Sequence, residues 1–568
     1  MTQVTFEQAI EIALKQFNGG ELQQAESICR QILARDPNRG DALHLLGLIA
    51  HRSRHPDAVA LIRRAIALQP QNAVAYTNLA LVLQSEGRVD EAVECSRQAL
   101  ALQPNVAEAH FNLGYAFHCK GEIENAIACY QRALALKPGL FVPHLNLGAA
   151  LQVQGQTEQA IEIYRRGLVL QPNSATLLSN LSNALWEIDK LDEAIDCGRR
   201  AVAIDPNFAQ GHLNLGNALV STGQFNEGIE SYRRSIALDP AVPDAHNNLA
   251  MALLTLGHFD EGWREHEWRW RNPKFQSVRR NFSQPQWDGS DLNGRTILLH
   301  TEQGLGDALQ FVRFAPFVQR RGGRVVLECQ PSLLRLFQNA PDLGIASVVV
   351  QNPSGAAPPV LFDLHIPLLS LPLALQMLDP EKSPSQAPYL RADALSEAHW
   401  REVLSAEPKR LKVGLVWSGN ALHPRDKSRP VSLKELAPLA REDVQFYSLQ
   451  LGAAAAQIQE KPADMLLLDH TDQIGDLADT AGLVSQLDLV ISVDTSVAHL
   501  AGAMGKPVWV LIPFRPDYRW RLDRQDTPWY PTMRLFRQKR PGDWSEPIER
   551  IAEALDEAVR SATVPPEI

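Results

Sequence analysis

The chain has 568 residues, 45% hydrophobic and 21% charged, a length and composition that exclude a single core and a largely disordered chain and call for several folding units. A net charge of -10, with a pI near 5.9, removes the broad basic field that non-specific nucleic-acid or anionic-membrane binding needs, while leaving room for a local basic pocket. The six cysteines form no C-x-x-C pair, the first residues lack a basic-then-apolar leader, and no apolar run is long enough for a bilayer, so the cytosol is the expected compartment.

In the first half a proline recurs at positions 37, 70, 104, 138, 172, 206 and 240, one step of 33 residues and then five of 34. In register stand Leu46-Gly47, Leu79-Ala80, Leu113-Gly114, Leu147-Gly148, Leu181-Ser182, Leu215-Gly216 and Leu249-Ala250, followed by a glycine at 87, 121, 155, 223 and 257. The small residue after leucine lets two helices approach closely, as do Ala92, Ala126, Ala160 and Ala194 on the second helix. The later glycine supplies the turn between them, and the proline ends the second helix. This pattern resembles the tetratricopeptide repeat family and predicts an all-α superhelix of about eight repeats over residues 1–276, with degenerate units at both ends as caps. Cys95, Cys129 and Cys197 recur at one place on the second helix and read as packing residues.

Asparagine stands immediately before the leucine of six of these pairs, at Asn78, Asn112, Asn146, Asn180, Asn214 and Asn248. On a concave face such a ladder can clamp the backbone of an extended peptide and leave its side chains free; the same carboxamides can instead bridge neighbouring helices. The ladder resembles that of eukaryotic-type O-GlcNAc transferases, which implies a protein or peptide acceptor in the groove. The last unit carries Trp263, Trp268 and Trp270 in GWREHEWRWR, rings expected to seal the array against a neighbouring domain, with a junction over residues 277–293.

From Arg295 the pattern changes to alternating strands and helices. Thr296 to His300, Val325 to Glu328 and Ser347 to Val350 are predicted strands of one parallel sheet, within a lobe over residues 294–395. Strands from Leu411, from Val444 to Gln450, from Asp488 to Val493 and from Val508 to Pro513 define a second lobe over 396–568, closed by a helix over Pro547 to Val559. Two such Rossmann-like lobes place a cleft between the carboxyl ends of their strands.

Two strand-to-helix turns concentrate the chemistry. In the first, Gly304 and Gly306 permit close approach of a ligand and Asp307 can accept a proton from an attacking hydroxyl, or can simply cap the helix. In the second, SVDTSVAHLAGAMGKP, free N–H groups at Thr495, Ser496 and Val497 suit a diphosphate, Ser496 and His499 share a helix face, and Asp494 is either part of the cradle or a cap. The density of arginine and aromatic residues from Phe514 to Gln538, including Arg519, Trp520, Trp529, Tyr530 and Arg537, suits either a base and acceptor rim or stacking within the protein.

GLGD, VGLVWSGN, HPRDKSRPVSL and SVDTSVAHLAGAMGKPVWVL together resemble glycosyltransferase family 9, the heptosyltransferase-like group, over roughly Gly294 to Leu555. The resemblance implies a GT-B fold and inverting transfer that requires no metal. It makes Asp307 the base, puts Lys427 on the donor phosphate, and adds Ser418, Asp494, Thr495, Ser496 and His499 to the donor-binding set. In HPRDKSR, Arg425 and Arg429 compete with Lys427 for the phosphates.

The expected activity is transfer of a sugar from a nucleotide-diphosphate donor, a co-substrate rather than a resident cofactor, to a hydroxyl on a protein presented by the repeats. The alternatives are a repeat scaffold whose transferase-like module has lost turnover, or a transferase acting on lipopolysaccharide or another surface glycan. No metal ligands, nucleic acid or transmembrane segment enter this reading.

Overall fold

The computed structural model describes residues 5–273, 275, 280, 282–302, 304–352, 355–382, 387–406, 410–419 and 429–563. They form two compact units, Met1–Thr222 and Gly223–Ile568.

The first unit is all helical. Six antiparallel pairs follow one another: Phe6–Asn18 with Leu22–Arg35, Gly40–Arg52 with Ala58–Leu68, Ala73–Ser85 with Val89–Leu102, Ala107–Cys119 with Ile123–Leu136, Phe141–Val153 with Thr157–Leu170, and Ala175–Glu187 with Leu191–Ile204. The helix Ala209–Ser221 ends the unit. The predicted small residues sit where the helices touch. A methyl group on Gly47 would lie 2.5 Å from Ile62 and one on Gly114 2.8 Å from the Tyr130 ring, while Gly148 lies directly against the Tyr164 ring. Ala92, Ala126, Ala160 and Ala194 are fully buried. The six cysteines are free thiols, and Cys95, Cys129 and Cys197 pack on the continuous apolar core of this unit.

The interhelical turn requires a left-handed backbone. Gly20, Gly87, Gly121 and Gly155 supply it at φ between 74° and 86°, and where the glycine is missing Arg54 and Asp189 adopt the same conformation at φ 54° and 64°. A side chain there costs about 1–2 kcal/mol that glycine avoids.

The second unit opens on Phe225–Leu238, Pro243–Leu256, Phe259–His266 and a 3-10 turn, Glu267–Arg271, so among the described residues the chain contains the eight predicted helix pairs in sequence order. Ten parallel strands follow among the described residues: β1 Thr296–His300, β2 Arg324–Cys329, β3 Ser347–Val350, β4 Leu364–Pro367, β5 Leu411–Val416, β6 Val444–Ser448, β7 Leu467–Leu468, β8 Leu489–Val493, β9 Val508–Ile512 and β10 Met533–Arg537. They make a four-stranded sheet in the order β3-β2-β1-β4 and a six-stranded sheet in the order β10-β9-β8-β5-β6-β7. In each sheet the connection reverses direction at one place, between β1 and β4 and between β5 and β8, and at such reversals the strand-end loops diverge and leave a crevice. The final helix, Ser545–Thr563, packs Ile548, Ile551 and Leu555 onto the second sheet.

Helix pairs and sheets share one core in this unit. Trp263 is buried, donates its indole N–H to the Leu378 carbonyl at 3.0 Å, and stands edge-on to Phe311 and Tyr518. The sealing role expected of the tryptophan cluster therefore falls on Trp263, while Trp268 stacks on His246 with ring centres 3.7 Å apart.

Two substitutions test this geometry with opposite signs. Gly148→Ala drives a methyl into Tyr164, whose hydroxyl is tied to Gln152 at 2.7 Å, and should lower the stability of the array by about 1–3 kcal/mol. Arg54→Gly removes the left-handed penalty and should raise it by about 1 kcal/mol. Far-UV circular dichroism melts of the full chain read both; a rise for the first or a fall for the second contradicts the packing described.

Candidate functional site

The site forms where the carboxyl ends of the two sheets meet in the second unit. The loop after β1 runs into the helix Leu305–Phe311, whose N-cap is Gly304, so Asp307 occupies the third helical position rather than the cap. The loop after β8 runs into the helix Ser496–Ala503, capped by Thr495 rather than by Asp494. Asp494 is thereby relieved of the capping role that the sequence left open, whereas Asp307 reaches back from the third helical position to the Gly304 N–H.

The two turns touch. A methyl on Gly306 would lie 2.9 Å from Cδ2 and 3.4 Å from Nε2 of His499, so only glycine permits this approach. His499 is held in place on its other sides: Nδ1 hydrogen-bonds the Tyr530 hydroxyl at 2.9 Å, and the ring stacks on Trp520 with centres 5.3 Å apart. Burial, reinforced by the nearby Arg519 charge, holds the His499 pKa well below the usual imidazole value, so the ring is neutral at pH 7.

Asp307 and Arg519 form an ion pair through Oδ1 and Nη2. Burial pushes the Asp307 carboxyl above the usual aspartate value and the Arg519 guanidinium opposes the rise. Asp494 is 3.2 Å from Arg429 and is likewise raised by burial and opposed by that arginine. Ser492 Oγ and Thr495 Oγ1 are 3.0 Å apart, and Ser496 is half-buried at the helix start.

Ser418 lies two residues beyond β5, and the pairing of Val416 with Ser492 sets it beside the Asp494 turn at the reversal point of the second sheet. Its backbone N–H donates to Gln450 Oε1 at 2.8 Å. Lys427 and Arg425 lie outside the described residues; from the same segment Arg429 is the arginine seen at Asp494. Among the described residues no group of three or more His, Cys, Asp or Glu side chains is arranged to hold a metal ion.

The arginine and aromatic stretch divides in two. Arg519, Trp520 and Tyr530 reach the site. Arg537 donates to the carbonyls of Arg521 and Arg524 at 3.0 and 2.6 Å, and burial lowers its pKa to about 10, so it serves the loop itself.

Other residues shape the site without an isolated motif to betray them. Arg313 donates to the Trp529 carbonyl at 2.6 Å and the Tyr389 hydroxyl at 2.8 Å. Arg269, from the WRWR run, is buried and grips Glu302 with Nε and Nη2 at 2.8 and 3.0 Å, and also Ser370 at 2.8 Å. Glu302 follows β1 and Ser370 follows β4, so the end of the repeat segment braces both loops at the reversal point of the first sheet. Charge alternation in WRWR was the available signal; its partners lie 33 and 101 residues away.

The asparagine ladder is partly occupied by the array itself. Asn112 and Asn214 are buried and donate to the carbonyls of Thr77 and Ser179 at 3.0 and 3.1 Å, and Asn78 meets His44 Nε2 at 3.0 Å. These rungs bridge to the preceding repeat. Asn146, Asn180 and Asn248 are half-buried, and Asn146 and Asn180 sit beside the Tyr130 and Tyr164 hydroxyls. A second recurrence went unread in the sequence: His110, His212 and His246 each direct Nε2 to the carbonyl of a proline six residues earlier, at 2.9, 3.1 and 3.1 Å.

Comparison with known proteins identifies the repeats. Residues 10–73, 71–138 and 140–207 match tetratricopeptide repeat families, and residues 216–257 match a TPR repeat family. The N-terminal region is therefore an all-α tetratricopeptide array, a protein-interaction scaffold, followed by a region of parallel sheets and helices. Protein FlbA of Caulobacter vibrioides is 30% identical over 289 residues, and the chain spans 48%, about half, of that curated relative's length. Among solved structures, the APC/C hetero-tetramer Cut9–Hcn1 is 20% identical with a TM-score of 0.38, covering 47% of this chain and 53% of that one. YrrB, described as a TPR protein with an unusual peptide-binding site, is 22% identical with a TM-score of 0.29, covering 32% of this chain and 95% of its own. No helix among the described residues is long and apolar enough to cross a membrane.

The Gly306 contact makes a direct prediction. Gly306→Ala pushes a methyl against an imidazole pinned by Trp520 and Tyr530, and should destabilise the second unit by about 1–3 kcal/mol. Combining it with His499→Ala should recover much of the loss; a double variant no better than the sum of the singles would contradict the contact.

Proposed function

We propose that the second unit is a metal-independent, inverting glycosyltransferase of GT-B type that takes a nucleotide-sugar donor, and that the tetratricopeptide array presents a protein or peptide acceptor. The observation that carries this reading is the meeting of the Asp307 turn, after β1, with the Asp494 to His499 turn, after β8, both at strand-order reversals where ligands of open α/β sheets bind.

In this mechanism the N–H groups opening the helix Ser496–Ala503 face the donor diphosphate, and neutral His499 adds no charge of its own. Arg429, which pairs with Asp494, and Lys427 from the same segment are the cations assigned to that role. Asp307 removes the proton from the acceptor hydroxyl as its oxygen bonds to the anomeric carbon. The carbon–oxygen bond to the nucleoside diphosphate breaks, and the leaving group departs with the electron pair and its growing negative charge. Gly304 leaves backbone within reach of the donor, whereas the open side of Gly306 is taken by His499 and the Ser418 N–H by Gln450, which leaves the Ser418 hydroxyl for the donor. Asn146 and Asn180 are the ladder positions proposed for peptide contact.

A second reading, a scaffold whose transferase-like module no longer turns over, draws on one observation: Asp307 is already engaged by Arg519.

A panel of nucleotide sugars tested by thermal shift and by release of nucleoside diphosphate separates the two, since a ligand that prefers the folded state raises the apparent melting temperature. The transferase reading expects one donor to stabilise the chain and to be turned over, and Asp307→Asn to lower turnover by about 10²–10⁴-fold with donor stabilisation retained. Full turnover in Asp307→Asn rejects the assigned base. Stabilisation without turnover in the unsubstituted chain favours the scaffold.

A further inference from the structure

We propose that Arg519 is the positioning residue of this transfer, gripping one oxygen of Asp307 so that the other is aimed at the open side of Gly304 to take the acceptor's proton. The inference rests on the transferase reading above.

Arg519 lies in the short turn Tyr518–Trp520 that follows β9, 212 residues from Asp307 in sequence. Its guanidinium is used on every side. Nη2 meets Asp307 Oδ1, Nη1 donates to Asp517 Oδ1 at 2.8 Å, and Nε donates to Gln310 Oε1 at 2.5 Å. Gln310 is one helical turn beyond Asp307, so the arginine holds the helix Leu305–Phe311 at two points and fixes its rotation as well as the carboxylate. A planar fork can do this; a lysine ammonium, a point charge on a flexible stem, cannot.

The other oxygen lies beside Gly304, whose backbone N–H is also a hydrogen-bond partner of the Asp307 carboxylate. A methyl built on Gly304 would lie 3.7 Å from Asp307 Oδ2, and among the described residues no other atom beyond Gly304's chain neighbours comes within 4 Å of it. The side chains of Arg519 and Asp307 are 10% and 15% exposed, enough for one oxygen to meet a hydroxyl while the pair stays largely dry.

The surrounding charges make the pairing matter. Arg519 and Asp517 face Asp307 from the turn after β9, and Arg269 faces it from the turn Glu267–Arg271. Asp494 faces Arg519 from the turn after β8, while His499 and His266 are kept neutral by burial. Burial pushes the Asp307 carboxyl up, Arg519 is the largest opposing influence, and Asp517 pushes in the same direction as burial. Removing Arg519 therefore raises the pH at which Asp307 ionises; neutralising Asp517 lowers it.

The test compares full-length Arg519→Gln, Arg519→Lys and Asp517→Asn with the unsubstituted chain, using two readouts. One is the acid limb of kcat against pH with the donor found by the panel. The other needs no turnover: labelling of Asp307 by a carbodiimide with glycine ethyl ester, which modifies the protonated carboxyl, followed by mass mapping across pH. Arg519→Gln should move both midpoints up by about 1–3 units. Arg519→Lys should keep the midpoints near those of the unsubstituted chain while lowering kcat, because charge is retained and aim is lost. Asp517→Asn should move the midpoints down, and this arm decides the matter if Arg519→Gln does not fold. Loss of turnover in Arg519→Gln with unmoved midpoints, or an upward shift in Asp517→Asn, overturns the proposal. If the unsubstituted chain turns over no nucleotide sugar, the transferase reading fails separately, and an unmoved labelling midpoint in Arg519→Gln removes the coupling as well.

Discussion

The second unit is organised around a single close approach, that of the Gly306 backbone to the His499 ring. Two parallel sheets can be set side by side in many ways, but here the turn after β1 and the turn after β8 are near enough that a methyl group would not fit between them. This proximity has a cost in exposed polar groups, because carboxylates, helix ends and arginines crowd into one dry place. The chain meets that cost by pairing: Asp307 with Arg519, Asp494 with Arg429, Glu302 with Arg269. Each pair joins residues distant in sequence, so the ionic contacts that offset desolvation also fix the relative placement of the loops.

In the first unit the same principle appears in apolar form. Glycine or alanine opposite a ring or branched side chain sets the helix spacing, and a left-handed residue closes the turn, once per repeat. The backbone conformation at the turn is conserved along the array even where the residue is not, as Arg54 and Asp189 show. Geometry is therefore imposed by the packed helices, with the turn residue accommodating it at some cost.

Legibility from sequence followed the range of the interactions. The repeat period, the small residues and the turn glycines are local and recur, so they could be read directly. The strands β1, β2, β3, β5, β6, β8 and β9 are legible as compact apolar runs, whereas three strands are not. β4, Leu-His-Ile-Pro, is four residues long and includes a proline; β7 has two residues; and β10, Met-Arg-Leu-Phe-Arg, alternates arginine with apolar residues at a sheet edge and reads as part of a basic loop. At the site, the glycine turns could be named because glycine and a helix start leave a local mark. The partners of Asp307 and Glu302 could not, since nothing in WRWR or in the stretch after Phe514 states which arginine turns inward. The asparagine ladder was plain as a period, yet a period does not distinguish a carboxamide aimed at a ligand from one bonded to the next helix, and Asn112 and Asn214 do the latter.

The division of the chain after Thr222 places three repeat-type helices in the same body as the sheets. Trp263 supplies part of that body's apolar interior and Arg269 neutralises a carboxylate inside it. A fragment begun after the Glu267–Arg271 turn would therefore carry an open socket against Phe311 and Tyr518 and an unneutralised Glu302. The natural separable piece begins near Gly223, and the last repeats are better regarded as a fixed shoulder of the sheet region than as detachable links of the array.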